Sequence, residues 1–188
     1  MIEFIEDGHI YLKDGIIVPS VSEIIEFIFP NKYKNIPKWI LDKKAEYGTK
    51  VHYAIECLEQ GKEIPELNLY QELSLEEYKY IKSKYGIEVI EQEVTVSYEY
   101  EYAGRLDMIA FINRRRCLID IKTTAELDKE SLSWQLSLYE FASGERFLAL
   151  YCLWLPKGKR GQLVKIERKT EEEILKKLGE FKNENTKK

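Results

Sequence analysis

Three residues set the chemistry this chain can perform. Asp107 lies among Leu106, Met108, Ile109 and Ala110, and Asp120 lies between Ile119 and Ile121. Lys122 follows Asp120 by two positions. A carboxylate inside an apolar run has to be paired, hydrogen-bonded or bound to a metal, because burying it bare is costly. The flanking residues are β-branched or apolar and read as two strands joined by a polar Asn-Arg-Arg-Arg turn, an antiparallel hairpin. Side chains alternate along a strand, so Asp120 and Lys122 share a face. With Asp107 across from them, two carboxylates and one ammonium meet. That set suits phosphodiester hydrolysis: hard oxygens for Mg²⁺ or Mn²⁺, and a cation to orient or deprotonate water and offset phosphate charge. A structural ion pair is the alternative for such a strand.

Upstream of this hairpin, residues 37–60 follow the 3.6-residue period through Ile40, Tyr47, Val51, Ala54, Ile55 and Leu58. Gly48 interrupts the pattern and Thr49 offers a cap for a fresh helix. His52 borders the apolar stripe with Glu56 one turn on; a structural histidine is the ordinary reading of such a position. Residues 63–71 read as a loop, and Ser74-Leu-Glu-Glu77 as a capping box opening the next helix. Residues 87–98 read as a strand, with Tyr98, Tyr100 and Tyr102 alternating near its end as half-buried sheet surface. At the N-terminus, residues 3–18 read as a small hairpin around Asp7-Gly8 and Asp14-Gly15, followed by a helix with a Ser20–Glu23 capping box. Beyond the central hairpin come a helix over residues 129–142, an apolar interior strand within residues 146–155, an edge-like strand over 162–168 and a final helix opened by a Thr170–Glu173 box. This order predicts an α/β layer architecture, a mixed central sheet with helices on its faces.

Composition narrows the classes. The 188 residues are 44% hydrophobic and 33% charged, as in one globular domain, here 1–188, with the catalytic core over 87–155, an N-terminal hairpin and helix over 1–30 and a polar tail over 182–188. No apolar run reaches the ~18 residues of a membrane span, and the first residues lack the regions of a signal peptide. The three cysteines, Cys57, Cys117 and Cys152, are distant from one another, which fits free thiols in a reducing, intracellular compartment and provides no zinc pattern. A net charge of −4 gives no global case for nucleic-acid binding, so contacts fall to local clusters: Lys43-Lys44, Arg114 to Arg116, and Lys157 to Arg160.

Taken in order, Gly48-Thr-Lys-Val-His52, Glu93, Gly104-Arg-Leu-Asp107, Asp120-Ile-Lys122-Thr-Thr and Gln135-Leu-Ser-Leu-Tyr139 resemble the PD-(D/E)XK nuclease superfamily, and most closely its RecB-type exonuclease branch. The segment from His9 to Ser22 resembles the N-terminal hairpin of small phage-type members. The resemblance spans nearly the whole chain. It implies a restriction-endonuclease-like core and a Mg²⁺- or Mn²⁺-dependent deoxyribonuclease. It implies Asp107, Asp120, His52 and the backbone carbonyl of Ile121 as metal ligands, with Lys122 assisting the attacking water. Glu93 matches an acid often found on the preceding strand, with Glu91 its rival. Arg105, Gln135 and Tyr139 are the implied nucleic-acid contacts, the last two alternatively bracing the site. Some relatives hold an iron–sulfur cluster through four cysteines; this chain lacks them, and no cluster is expected. The implied setting is a cytoplasmic bacterial or phage-encoded exonuclease of recombination or DNA repair, acting on single- or double-stranded DNA, as a homo-oligomer or with a recombination partner and away from any membrane. A structure- or sequence-specific endonuclease, or a non-catalytic nucleic-acid-binding module, is the alternative on the same fold.

Overall fold

The computed structural model describes residues 2–6, 8–32 and 34–185. The N-terminal hairpin expectation resolves into three short antiparallel strands, β1 (Ile2–Ile5), β2 (Ile10–Lys13) and β3 (Ile16–Val18). Asp7 of the first turn lies outside the described residues, as do residues 186–188 of the tail. A capping box at Ser20 and Glu23 starts α1 (Val21–Ile28), as the sequence predicts.

α2 (Lys38–Glu59) runs unbroken through Gly48, where the sequence suggested an interruption. The glycine serves an approach instead: a Cβ there would stand 3.2 Å from Thr123 Oγ1. α3 (Leu69–Tyr85) begins six residues earlier than the Ser74 box suggested. Asn68 and Gln71 form the capping box that starts it, and Ser74 is buried inside the helix, bonded to Tyr47 Oη at 2.8 Å.

Five strands form the main sheet in the order β4 (Ile87–Tyr98), β5 (Tyr102–Ile112), β6 (Arg115–Lys122), β7 (Ala149–Trp154) and β8 (Gln162–Ile166). All neighbours are antiparallel except β6 and β7, which are parallel and connected by α4 (Lys129–Ser143). The β5–β6 turn is Asn113-Arg114, both at positive φ, the geometry a two-residue hairpin turn requires. α5 (Glu171–Asn185) closes the described chain and carries its helix into the segment expected to be a polar tail.

The fold is therefore α/β, a mixed sheet with helices on both faces. One core joins the sheet to α1, α4 and α5, around Leu106, Leu118, Leu136 and Phe181. The other joins it to α2 and α3, around Met108, Ile119, Ala54 and Tyr78. On β5, Leu106 belongs to the first core and Met108 to the second, although strict alternation would put both on one side. The switch falls at Asp107.

Candidate active site

The β5–β6 ladder ends at Met108 opposite Ile119. Continuing that register by one residue would set Asp107 opposite Asp120. The strands part there, and the Asp107 carboxylate takes the place of the missing ladder bond: its Oδ2 accepts the Ile121 N–H at 2.6 Å. The N–H and C=O of one strand residue point to the same edge, so the Ile121 carbonyl also faces the Asp107 side.

From α2, His52 reaches down with Nδ1 3.7 Å from that same Asp107 Oδ2. From β4, Glu93 arrives by an unusual backbone. Its φ is +53°, a left-handed conformation that a non-glycine residue adopts at a cost. His52, Glu93 and Asp107 each present a ligand atom within 4.8 Å of the others. Arg105, two residues before Asp107, binds Glu93 Oε2 at 2.8 Å and lies 5.2 Å from the Phe4 ring centroid. Glu91, the rival for Glu93, instead pairs with Arg116 at 3.0 Å, away from this group.

Asp120 belongs to the opposite face of the sheet, under α4, and is 2% exposed. Its Oδ1 accepts from Lys122 Nζ and from Gln135 Nε2, both at 3.1 Å. Lys122 Nζ also lies 2.9 Å from Oδ2, but without hydrogen-bond alignment, so Oδ2 is buried with no donor. Gln135 donates also to Tyr139 Oη at 3.3 Å. Tyr139 is buried on Gly104, where a Cβ would come within 2.5 Å of Tyr139 Cε1. The glycine of the Gly104–Asp107 motif thus lets the ring lie against β5 and set Gln135 over Asp120.

Electrostatically the site is overloaded with acid. Burial, reinforced by the Asp107 charge and opposed by Arg105 and His52, pushes Glu93 up to about 7. Burial pushes Asp120 up to about 6, opposed by Lys122 and reinforced by Asp107. For Lys122, burial favours the neutral amine, but the charges of Asp120 and Asp107 outweigh it and hold the ammonium above its ordinary range. Burial and the Asp120 charge likewise hold the Tyr139 phenol protonated.

His52, Glu93 and Asp107 therefore come together, while Asp120 and Lys122 pair on the other face in electrostatic reach of Asp107, with Gln135 hydrogen-bonded to Asp120 and Tyr139 to Gln135. The Glu56 carboxylate, one turn from His52, acts on Glu93 electrostatically; the helical spacing from His52 was its only signal in sequence. The expected half-buried tyrosine stripe is divided by the β4–β5 turn: Tyr100 lies exposed in that turn, Tyr102 is buried with its hydroxyl donating to Leu138 O, and Tyr98 packs on Phe141. Cys57, Cys117 and Cys152 are free and buried. No helix of the described residues is long and apolar enough to cross a membrane.

No family model and no curated protein matches the chain significantly. Among solved structures, it is similar to SSO0001 at 22% identity and a TM-score of 0.41, over 60% of this chain and 56% of that one, little more than half its length. It is similar to an alkaline exonuclease from Laribacter hongkongensis at 16% identity and a TM-score of 0.45, over 64% of this chain and 71% of that one. It is also similar to a phage-related exonuclease from Haemophilus somnus 129PT at 17% identity and a TM-score of 0.43, over 87% and 89% of the two chains.

Proposed function

We propose that this protein is a Mg²⁺- or Mn²⁺-dependent deoxyribonuclease, an exonuclease of the kind its ordered motifs resemble. One observation carries the reading: a histidine–glutamate–aspartate group whose ligand atoms lie within 4.8 Å of one another, in electrostatic reach of the buried Asp120, whose Oδ2 has no aligned hydrogen bond. A buried carboxylate oxygen without a donor is costly, and a hard cation removes the cost. Three carboxylates and one imidazole match the oxygen-rich preference of Mg²⁺ and Mn²⁺. His52, Asp107, Asp120 and the Ile121 carbonyl would hold the ion, with Glu93 alongside.

When bound, the ion supplies Lewis acidity toward a phosphoryl oxygen and acidifies water at neutral pH. The chain supplies the rest. Lys122, held cationic by Asp120, donates from Nζ to the scissile phosphate or to the attacking water and offsets charge developing there. Its raised pKa makes it a donor in this state rather than the base that removes the proton. Gln135 fixes one Asp120 oxygen, the other would be available to a cation, and Tyr139 holds Gln135 in place. Arg105 keeps Glu93 in the site by its ion pair and stands ready as a phosphate contact.

The test is digestion of end-labelled linear DNA beside a covalently closed circle, with Mg²⁺, with Mn²⁺ and with EDTA, using Asp120→Ala as control. Metal-dependent loss of the linear substrate alone, absent in the variant, is the expected result. Nicking of the circle would replace the exonuclease reading with an endonuclease one. DNA binding without turnover in either metal would leave a binding module.

A further inference from the structure

The sheet end that bears the site continues onto a basic turn. In the parallel β6–β7 ladder Lys122 lies opposite Trp154, and the Leu155 N–H donates to Lys122 O at 2.7 Å. The chain then turns through residues 156–161 and lies along α3. Lys157 Nζ sits 4.6 Å from the Tyr70 ring centroid and 5.4 Å from that of Tyr47. The Arg160 guanidinium lies 5.7 Å from the Tyr80 centroid, with Lys84 at 5.7 Å from the same ring. Gly158, at φ +68°, allows the backbone to press on Tyr70; a Cβ there would stand 3.3 Å from Cε1.

Two features separate this turn from an ordinary solvated one. Its rings are part exposed, Tyr70 46% and Tyr80 52%, each with a cation over it. They lie ten residues or roughly 15 Å apart along α3, about 80° around its axis from one another. Its charge is also unspent. Glu77 accepts from Gly161 N–H at 3.0 Å and pairs with Arg160 at 3.4 Å, which anchors the turn. Lys157 makes no ion pair among the described residues, in a chain of net charge −4. Tyr47 precedes His52 by five residues, roughly 7–8 Å along α2. A stacked strand advances ~3.4 Å per nucleotide, so the surface begins about two nucleotides from the site and continues for about four more.

Resting on the nuclease reading for the substrate class, we propose that Tyr70 and Lys157, braced by the half-buried Tyr47 and continued by Tyr80 and Arg160, form a track for single-stranded nucleic acid entering or leaving the site. Tyrosine faces stack on bases of any sequence, and the two cations contact phosphates. Bases of an intact duplex are stacked on one another and cannot reach those faces, so the track selects an unpaired strand.

Fluorescence anisotropy with labelled oligothymidylate, in EDTA and across a salt series, tests this on the full chain. Tyr70→Leu is expected to weaken binding about tenfold, with Tyr70→Phe binding as the parent. Lys157→Gln should reduce the slope of log K against log salt by about 0.7, the loss of one phosphate contact on a single strand. Merely holding the turn to α3 would leave that slope unchanged. Thermal melts verify folding, and Tyr80→Leu takes the place of Tyr70→Leu should the latter unfold. Unchanged affinity and slope in folded variants, a parent that does not bind oligothymidylate, or equal affinity for a blunt duplex would overturn the track. Metal-dependent cleavage measured on the same preparations separates the two readings. Cleavage with unchanged binding removes only the track, and binding that follows the variants without cleavage by the parent removes only the nuclease.

Discussion

Two carboxylates in this molecule are almost equally buried and opposite in circumstance. Glu140, on α4, is 5% exposed and fully supplied with donors. Arg168 gives it Nε at 2.6 Å and Nη2 at 2.9 Å, Phe147 N–H donates at 2.9 Å, and Arg146 adds Nη1 at 3.2 Å. These bonds tie α4 to the start of β7 and to the segment after β8. Asp120, on β6, is 2% exposed and has one lysine and one amide aligned on Oδ1, while the same lysine stands 2.9 Å from Oδ2 out of hydrogen-bond alignment. The protein neutralises the first acid completely and the second only in part. A buried ion with every lone pair engaged serves architecture, whereas one left short of partners holds free energy that a ligand can release.

Exchanging the two acids for neutral residues should therefore break different things. Asp120→Asn keeps volume and the Gln135 contact but removes the charge, and cleavage should fall by about three orders of magnitude or more, about 4 kcal/mol of transition-state stabilisation. Its metal-free melting temperature should stay within a few degrees of the parent. A variant with near-parental cleavage would refute the site. Glu140→Ala leaves two arginines facing a buried gap and should cost about 3–5 kcal/mol of stability, a drop of about 10 °C in melting temperature, with the rate per folded molecule retained. Denaturant melts and active-site titration check both halves.

This contrast was only half legible in the sequence. Asp107, Asp120 and Lys122 announced themselves because an acid in an apolar strand is conspicuous and the strand period is fixed. Glu140 did not. It lies on a helix rich in polar residues, and its partners Arg146 and Arg168 approach from segments 6 and 28 residues away. The overall α/β order and most caps were readable because the signals are local, as at Ser20–Glu23 and Thr170–Glu173. The start of α3 differs because two successive capping signals compete, and Asn68 caps the helix while Ser74 is buried within it against Tyr47. Gly48 looked like a break, since nothing local shows that Thr123 will press on it. The left-handed Glu93 and the change of face at Asp107 were invisible for the same reason. One lies within the β4–β5 ladder and the other where β5 and β6 part, so both are properties of the assembled sheet.

The support behind Asp120 offers a subtler way to sharpen the comparison. In Gly104→Ala the new methyl would meet Tyr139 Cε1 at 2.5 Å and Val21 Cγ2 at 2.9 Å, so ring or strand has to move. Overpacking of this kind costs about 1–3 kcal/mol. Because Tyr139 positions Gln135, cleavage should fall as well, by about tenfold, while Glu140 and its arginines are untouched. A loss of stability with no loss of rate would show that Tyr139 supports the core and not the site.

The smallest expected effect is a pH dependence that only the underserved end of the molecule should display. In metal-free protein Glu93 titrates near 7 against an ordinary 4.5, and Asp120 near 6 against 3.8. Both acids hold protons more tightly in the folded chain than in the unfolded one. Their contribution is thus fully present below about pH 4 and is lost as pH rises through 6 and 7. Glu93 alone accounts for on the order of 2 kcal/mol, a fall of several degrees in melting temperature between pH 5 and pH 8 in EDTA. Glu93→Gln should flatten that part of the profile, and Glu140→Gln should not. Mn²⁺ prefers the deprotonated ligands, so it should stabilise the parent more at pH 8 than at pH 6 and offset the fall. Parallel pH profiles for parent and Glu93→Gln would mean that solvent reaches Glu93 freely and that the acid crowding at this end of the sheet stores no free energy for an ion to release.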